Sequence, residues 1–234
     1  MNPTEVARRI RRAVGISAMA FAICSPGFGQ DVANPASVNA FDPREVALLP
    51  KYCMYTQLFR LHVPGGGDNQ QIEAWRALMG PTFEDMHHYC FGLMKTNRAT
   101  LYGLSREQRR FYLSDAVDEF DYVLQRAQKD FVLLPEILVK KGMNLVRLDK
   151  GPVAILQFER AIEAKPDYWT AYGELSDFYK QQGNIARARE VLERGLAASP
   201  DAPGLKRRMT ELTAASDGKK VRRSSDSSPA VTQR

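Results

Sequence analysis

Residues 135–166 read PEILVKKGMNLVRLDKGPVAILQFERAIEAKP, and residues 167–200 read DYWTAYGELSDFYKQQGNIARAREVLERGLAASP. Aligned with a step of thirty-four, Gly142 falls on Ser176, Ala154 on Ala188, Phe158 on Leu192, Ala161 on Gly195 and Pro166 on Pro200. Small residues recur on small ones, large apolar residues on large ones, and each unit closes on a proline. A fixed period of this length marks a stacked array whose units bury their apolar faces against one another. In the second unit Tyr172, Leu175, Tyr179, Leu192 and Leu196 recur at helical spacing on two segments, 168–182 and 185–198. Gly183-Asn184 between them tolerates positive φ and supplies the turn. Ser176, Ala188 and Gly195 leave room for the two helices to approach closely. The first unit repeats this with Leu138, Leu145, Phe158 and Ile162, and turns at Asp149-Lys150-Gly151. The spacing predicts an all-α fold of antiparallel helix pairs, with units at 135–168 and 169–202.

These matches resemble the tetratricopeptide repeat. The resemblance implies a right-handed α-solenoid whose first helices line a concave, partner-binding groove. By repeat register the groove takes Glu136, Val139, Met143, Val146 and Arg147 from the first unit. Thr170, Gly173, Asp177, Lys180 and Gln181 join from the second. Lys141 departs from the pattern, since the family has an apolar residue there. The chain also lacks the Lys/Asn set with which some members clamp C-terminal carboxylates, so that ligand class is not implied.

Ser105 caps a long helix over 106–128, and with 83–101 it reads as a degenerate unit in which 102–134 supplies the second helix and connection. Phe120, Leu124 and Ala127 sit near where a second helix needs a small, a large and a small residue. That register puts a bulky ring at a small position and predicts altered packing. Residues 203–215, with Leu205, Met209 and Leu212 on one face, read as a capping helix. Residues 216–234, SDGKKVRRSSDSSPAVTQR, carry too little apolar surface to order themselves and read as a disordered basic tail.

Residues 47–101 form an irregular helical head. A short helix ends near Leu61, Pro64-Gly65-Gly66-Gly67-Asp68-Asn69 is a loop, and 71–78 is a helix broken by Gly80-Pro81. Thr82, with Asp85 three residues on, is placed to cap the helix that follows. Leu49-Pro50-Lys51-Tyr52-Cys53, Trp75-Arg76 and the run from Met86 to Ala99 resemble the head of secreted proteobacterial tetratricopeptide proteins of unassigned role. That resemblance implies organisation and compartment, and no chemistry.

Residues 1–29 read as a secretory signal: Arg8, Arg9, Arg11 and Arg12 precede the apolar run Ala13 to Cys24, and small residues allow cleavage after Gly29. An uncleaved anchor is the alternative. The apolar run is too short to span a bilayer comfortably, so no membrane span is expected after cleavage. Residues 30–46 read as a linker. The expected localisation is periplasmic or secreted. The net charge of +6 is carried by the two ends, leaving 30–215 balanced. A basic nucleic-acid footprint on the folded part is therefore not expected.

Cleavage would remove Cys24 and leave Cys53 and Cys90, which in an oxidising compartment would pair. Two buried free thiols are the alternative. A second alternative uses Met86, His87, His88 and Cys90 with Cys53 and Met54 as a soft-metal or redox site, since thioether, imidazole and thiolate suit copper(I). Adjacent His87 and His88 project about 100° apart on a helix, which works against a shared metal. Neither a phosphate-cradling loop, a Gly-x-Ser-x-Gly elbow nor a His-Glu-x-x-His pattern occurs. Asp118-Glu119 reads as part of a solvated helix face. The expectation is an exported scaffold that binds a protein or peptide, without cofactor or catalysis.

Overall fold

The computed structural model describes the backbone of residues 41–226 and the side chains of residues 41–214. The expectations for 1–29, 30–40 and 227–234 lie outside the described residues. The α-helices are α1 (Pro43–Val46), α2 (Phe59–His62), α3 (Asn69–Met79), α4 (Met86–Leu101), α5 (Arg106–Arg126), α6 (Leu134–Arg147), α7 (Gly151–Ala164), α8 (Trp169–Gln181), α9 (Ile185–Ala198) and α10 (Pro203–Asp226). Two 3₁₀ turns, Lys51–Tyr55 and Gly80–Asp85, complete the head, and the described residues contain no strand.

The helices pack in consecutive pairs, α4 with α5, α6 with α7 and α8 with α9, and each pair leans on the next. This is an all-α solenoid. The crossing within each pair rests on a small residue facing a large one. A Cβ added to Gly142 would lie 2.5 Å from the Phe158 ring. In the second unit Ser176 is itself buried and its hydroxyl donates to the Ala188 carbonyl at 2.9 Å. Ala154, Ala161, Ala188 and Leu192 are buried, as the period requires. The hairpin turns also repeat. Asp149 at φ 61° and Gly183 at φ 73° are the same position thirty-four residues apart. The Lys150 amide donates to the Leu145 carbonyl, and the Asn184 amide to the Tyr179 carbonyl, both at 2.9 Å. A left-handed residue closes each helix there, the geometry that favours glycine and tolerates aspartate.

The first pair obeys the same rule, and this corrects the expected register. A Cβ on Gly92 would lie 2.3 Å from the Phe120 ring, so Phe120 occupies the large position, as Phe158 does. Ala116 supplies the small residue one turn earlier and is fully buried, whereas Leu124 and Ala127 are only partly buried. Phe120 is therefore not a bulky intruder at a small site. The helix pair begins with α4, which belongs to the array as much as to the head.

Three other expectations change. The segment read as linker is structured from Phe41: its ring stacks on His62 with centroids 4.8 Å apart and meets Phe59 edge-on. Within α1, Glu45 is buried and accepts from Arg98 at 2.8, 3.0 and 2.6 Å. Thr82 caps no helix; Gly80–Asp85 is a 3₁₀ turn that buries Thr82. Finally, α10 continues to Asp226, beyond the expected end at 215 and into the expected tail. Lys, Arg and Ser continue a helix at little cost, and no proline intervenes before Pro229.

The ring-on-glycine crossing is testable. Gly92→Val should cost about 1–3 kcal/mol by overpacking, and Phe120→Leu in that background should recover part of the loss. No recovery in thermal melts would mean that Phe120 does not face Gly92.

Candidate functional site

The first helices α4, α6, α8 and the start of α10 follow one another side by side, and theirs are the faces on which the sequence placed a groove. The groove positions take unequal roles. Val139 is buried in the main core at 2% exposure, contrary to the expected groove placement. Successive first helices pack on one another, so a position turned from its own partner helix can still be closed by the neighbouring unit. Met143 and Val146 are partly buried against the same core. Arg147, Lys180 and Gln181 are exposed, Thr170 and Asp177 are half-buried, and Gly173 is buried. A Cβ on Gly173 would lie 3.0 Å from the Arg208 guanidinium carbon.

Much of the charge at the expected groove positions is answered within the chain. Arg208 of α10 bonds Asp177 at 2.8 Å and Glu174 at 3.4 Å, and Lys180 lies 4.0 Å from Glu211. The C-terminal helix thus occupies the next first-helix position and holds the acidic side of α8. At the other end, Glu136 accepts the Tyr89 hydroxyl at 2.7 Å, and the Asn144 amide donates to Thr96 at 2.7 Å. Lys141, the departure from the repeat pattern, reaches back to Asp121 on α5.

The head packs on the N-terminal end of the array. The 3₁₀ turn Lys51–Tyr55 and α3 pack with α4 in one core that includes Tyr52, Cys53, Ile72, Phe83, Tyr89 and Cys90, with Trp75 against it. The structure joins Cys53 and Cys90, S–S 2.06 Å and Cα–Cα 5.7 Å, both side chains fully buried. This disperses the alternative metal cluster. Cys90 sulfur is bonded to Cys53, His88 Nδ1 meets Glu119 at 2.5 Å, His87 Nδ1 meets the Glu84 carbonyl at 2.9 Å, and Met86 is buried. Among the described residues no group of three or more His, Cys, Asp and Glu is gathered to hold a metal.

A buried polar network between α4 and α5 was not legible beforehand. Lys95, almost inaccessible, lies 2.8 Å from Asp115 and 2.5 Å from Glu119. Glu119 also takes His88, whose ring stacks on Tyr122 with centroids 3.7 Å apart. The Arg126 guanidinium covers the other ring contact, 3.5 Å from the Tyr122 centroid. Glu119 is thus not on a solvated face. Burial alone would raise its carboxyl, but bonds from His88 and Lys95 outweigh that and hold it below its ordinary value. The only advance sign was a lysine within the apolar run FGLMKTNRA.

Comparisons with known proteins agree with the architecture. Residues 139–203 match the family described as Tetratricopeptide repeat. The chloroplastic tetratricopeptide repeat domain-containing protein PYG7 of Arabidopsis thaliana is 30% identical over 95 residues, 40% of this chain and 31% of that protein. The similarity therefore spans about a third of the relative's length. Segment 139–203 is a tetratricopeptide repeat segment, and such repeats indicate a protein–protein interaction scaffold.

Two predictions follow from the head. Cys90→Ser should remove about 3–4 kcal/mol under non-reducing conditions, because the bond closes a loop spanning a separation of 37 residues. Reductant should lower the melting temperature of the parent chain and leave the variant unchanged. The second concerns acid. Burial, and then the His88 imidazole, push His87 below its usual 6.5. The unfolded chain then binds the proton better than the folded one. The contribution is complete above pH 6.5 and is lost as pH falls through the lower folded value. His87→Gln should flatten the fall in melting temperature between pH 7 and 5.5, and an unchanged slope would remove His87 as its source.

Proposed function

We propose that this repeat chain is an exported adaptor that holds a protein or peptide partner against the outer faces of α6 and α8, with the disulfide-joined head as the end wall of the groove. The observation that carries the binding reading is an accessible strip of mixed chemistry on otherwise tightly packed helices. Met143 and Val146 are only partly buried, and Arg147, Lys180 and Gln181 on the same two helices are exposed. Partly exposed apolar groups rimmed by charge are the usual composition of a contact surface. The repeat match of 139–203 supports a scaffold role.

Export is supported by the arginine-rich start, the short apolar run and small residues before Gln30, together with the cysteine pair held at bonding distance. No helix among the described residues is long and apolar enough to cross a membrane. The role proposed needs no catalytic group: the buried charges of α4 and α5 are matched to one another and serve packing.

Site-specific photocrosslinking tests the groove. A benzophenone side chain at Arg147 should capture a partner in the native host, whereas one at Leu156, exposed on α7, should not. Ala188→Leu should abolish capture by jamming the α8–α9 crossing, with loss of helicity. Capture from Leu156 alone would place the partner on the opposite face.

A further inference from the structure

The last helix outruns the unit that it covers. Three contacts fix the register of α10 on α8. A Cβ on Gly204 would lie 2.4 Å from the Trp169 ring, Arg208 bonds Asp177 at 2.8 Å, and Lys180 lies 4.0 Å from Glu211. α8 stops at Gln181, and Leu212 is the last buried side chain of α10 among the described residues. The helix nevertheless continues to Asp226. Residues 216–226 therefore run on for about 16 Å past the level at which α8 ends.

The chemistry of α10 changes at the same place. In its first half each cation is answered within the chain: Lys206 by Asp201 at 3.3 Å, Arg207 by Glu211 at 3.7 Å, and Arg208 by Asp177 and Glu174. The extension carries Lys219, Lys220, Arg222 and Arg223 against Asp217 and Asp226. By helical register the strip of Leu205, Met209 and Leu212 continues as Ser216, Lys219 and Arg223. Positions that meet the core upstream thus become cationic once the core has ended. A further helix pair would need an apolar strip there. Val221 is the one large apolar residue of 216–226, so the extension is also unsuited to entering hydrocarbon. A helix takes most of its stability from packing an apolar face, and this stretch has none to pack. Its composition suits an anionic surface on which it lies. Residues 30–215 are balanced in charge, so the rest of the chain neither adds to that attraction nor opposes it.

We propose that residues 216–226 are a docking element that adsorbs the chain, by the end of α10, onto an anionic phospholipid surface. The attraction is Coulombic, about five-fold in affinity for each Lys or Arg near the surface. It is screened over about 8 Å at physiological salt. Nucleic acid carries the same sign of charge; the lipid surface is preferred because an exported chain meets membranes, and that preference rests on the export reading. The docking element itself is independent of the groove.

Vesicle cosedimentation tests this on the chain purified from its native host, in the form the host makes. The parent should bind vesicles of equal parts phosphatidylglycerol and phosphatidylcholine at low salt, and release them as salt rises. Pure phosphatidylcholine vesicles should bind at least about ten-fold more weakly. Lys219→Gln, Lys220→Gln, Arg222→Gln and Arg223→Gln together should weaken binding about a hundred-fold. The melting temperature should not move, because the four positions lie beyond Leu212. Arg222→Lys with Arg223→Lys should bind as the parent does, since charge and not guanidinium geometry is required. Equal binding to the two vesicle types, equal binding by the Gln variant, or as deep a loss in the Lys variant overturns the proposal. Tighter binding to polyuridylate than to the anionic vesicles assigns the segment to nucleic acid and overturns it as well. The intact mass of the same preparation tests export separately. If residues 1–29 are retained, the export reading fails, and the comparison of parent with Gln variant still decides the docking element.

Discussion

The pairs α4–α5 and α6–α7 each depend on one contact, a ring laid across a residue too small to resist it. Phe158 fills the space over Gly142, and Phe120 fills the space over Gly92. At Gly195 the neighbours of an added Cβ would be Tyr172 and Leu205, so the same device joins a pair to the helix that follows. Because the small residue lets backbones approach, the ring is buried by both helices at once, and dispersion and apolar burial act over a large area. The contact also sets the rotation of each helix. Once Gly142 faces Phe158, the residues one turn on either side are assigned to the core, to the neighbouring unit or to the groove.

That rotation explains how charge is distributed. The array buries several ionised groups, and removing one partner of a buried pair is far more costly than never having had the pair. Lys95 is satisfied twice, by Asp115 and Glu119, and Glu119 is satisfied twice, by Lys95 and His88. Glu45 and Arg98 meet through several hydrogen bonds. The lysine and histidine links tie α5 onto α4, the arginine link ties α1 onto it, and the Cys53–Cys90 bond adds a covalent tie from the head to the same helix. The head is therefore an integral part of the solenoid.

At the far end the array is closed by α10, which stands where another first helix would. Leu205 and Leu212 enter the core, Gly204 lies beneath the Trp169 ring, and Arg208 holds Asp177 and Glu174. An open last pair would leave apolar surface in water, and a half-apolar, half-basic helix covers it. The exposed faces of α6 and α8 thus lie between the head on one side and the arginine clamp of α10 on the other.

The sequence by itself determined the repeat. A thirty-four-residue step carries Gly142 to Ser176, Phe158 to Leu192 and the left-handed Asp149 to Gly183. These are local requirements of helix crossing and turn geometry, written into single residues. The cysteine pairing was readable to the extent that two cysteines remain downstream of the expected cleavage point. Tertiary structure alone decided the rest. Phe120 could be placed only by finding Gly92 opposite it, because a single apolar helix face admits several registers four residues apart. Val139 is buried in the main core, and Lys141 is tolerated because Asp121 waits on another helix. The Tyr89 hydroxyl reaches Glu136 across 47 positions of sequence and joins α4 to α6. Periodicity reports how a helix meets its own partner; what meets it from elsewhere in the chain appears only when the helices are stacked.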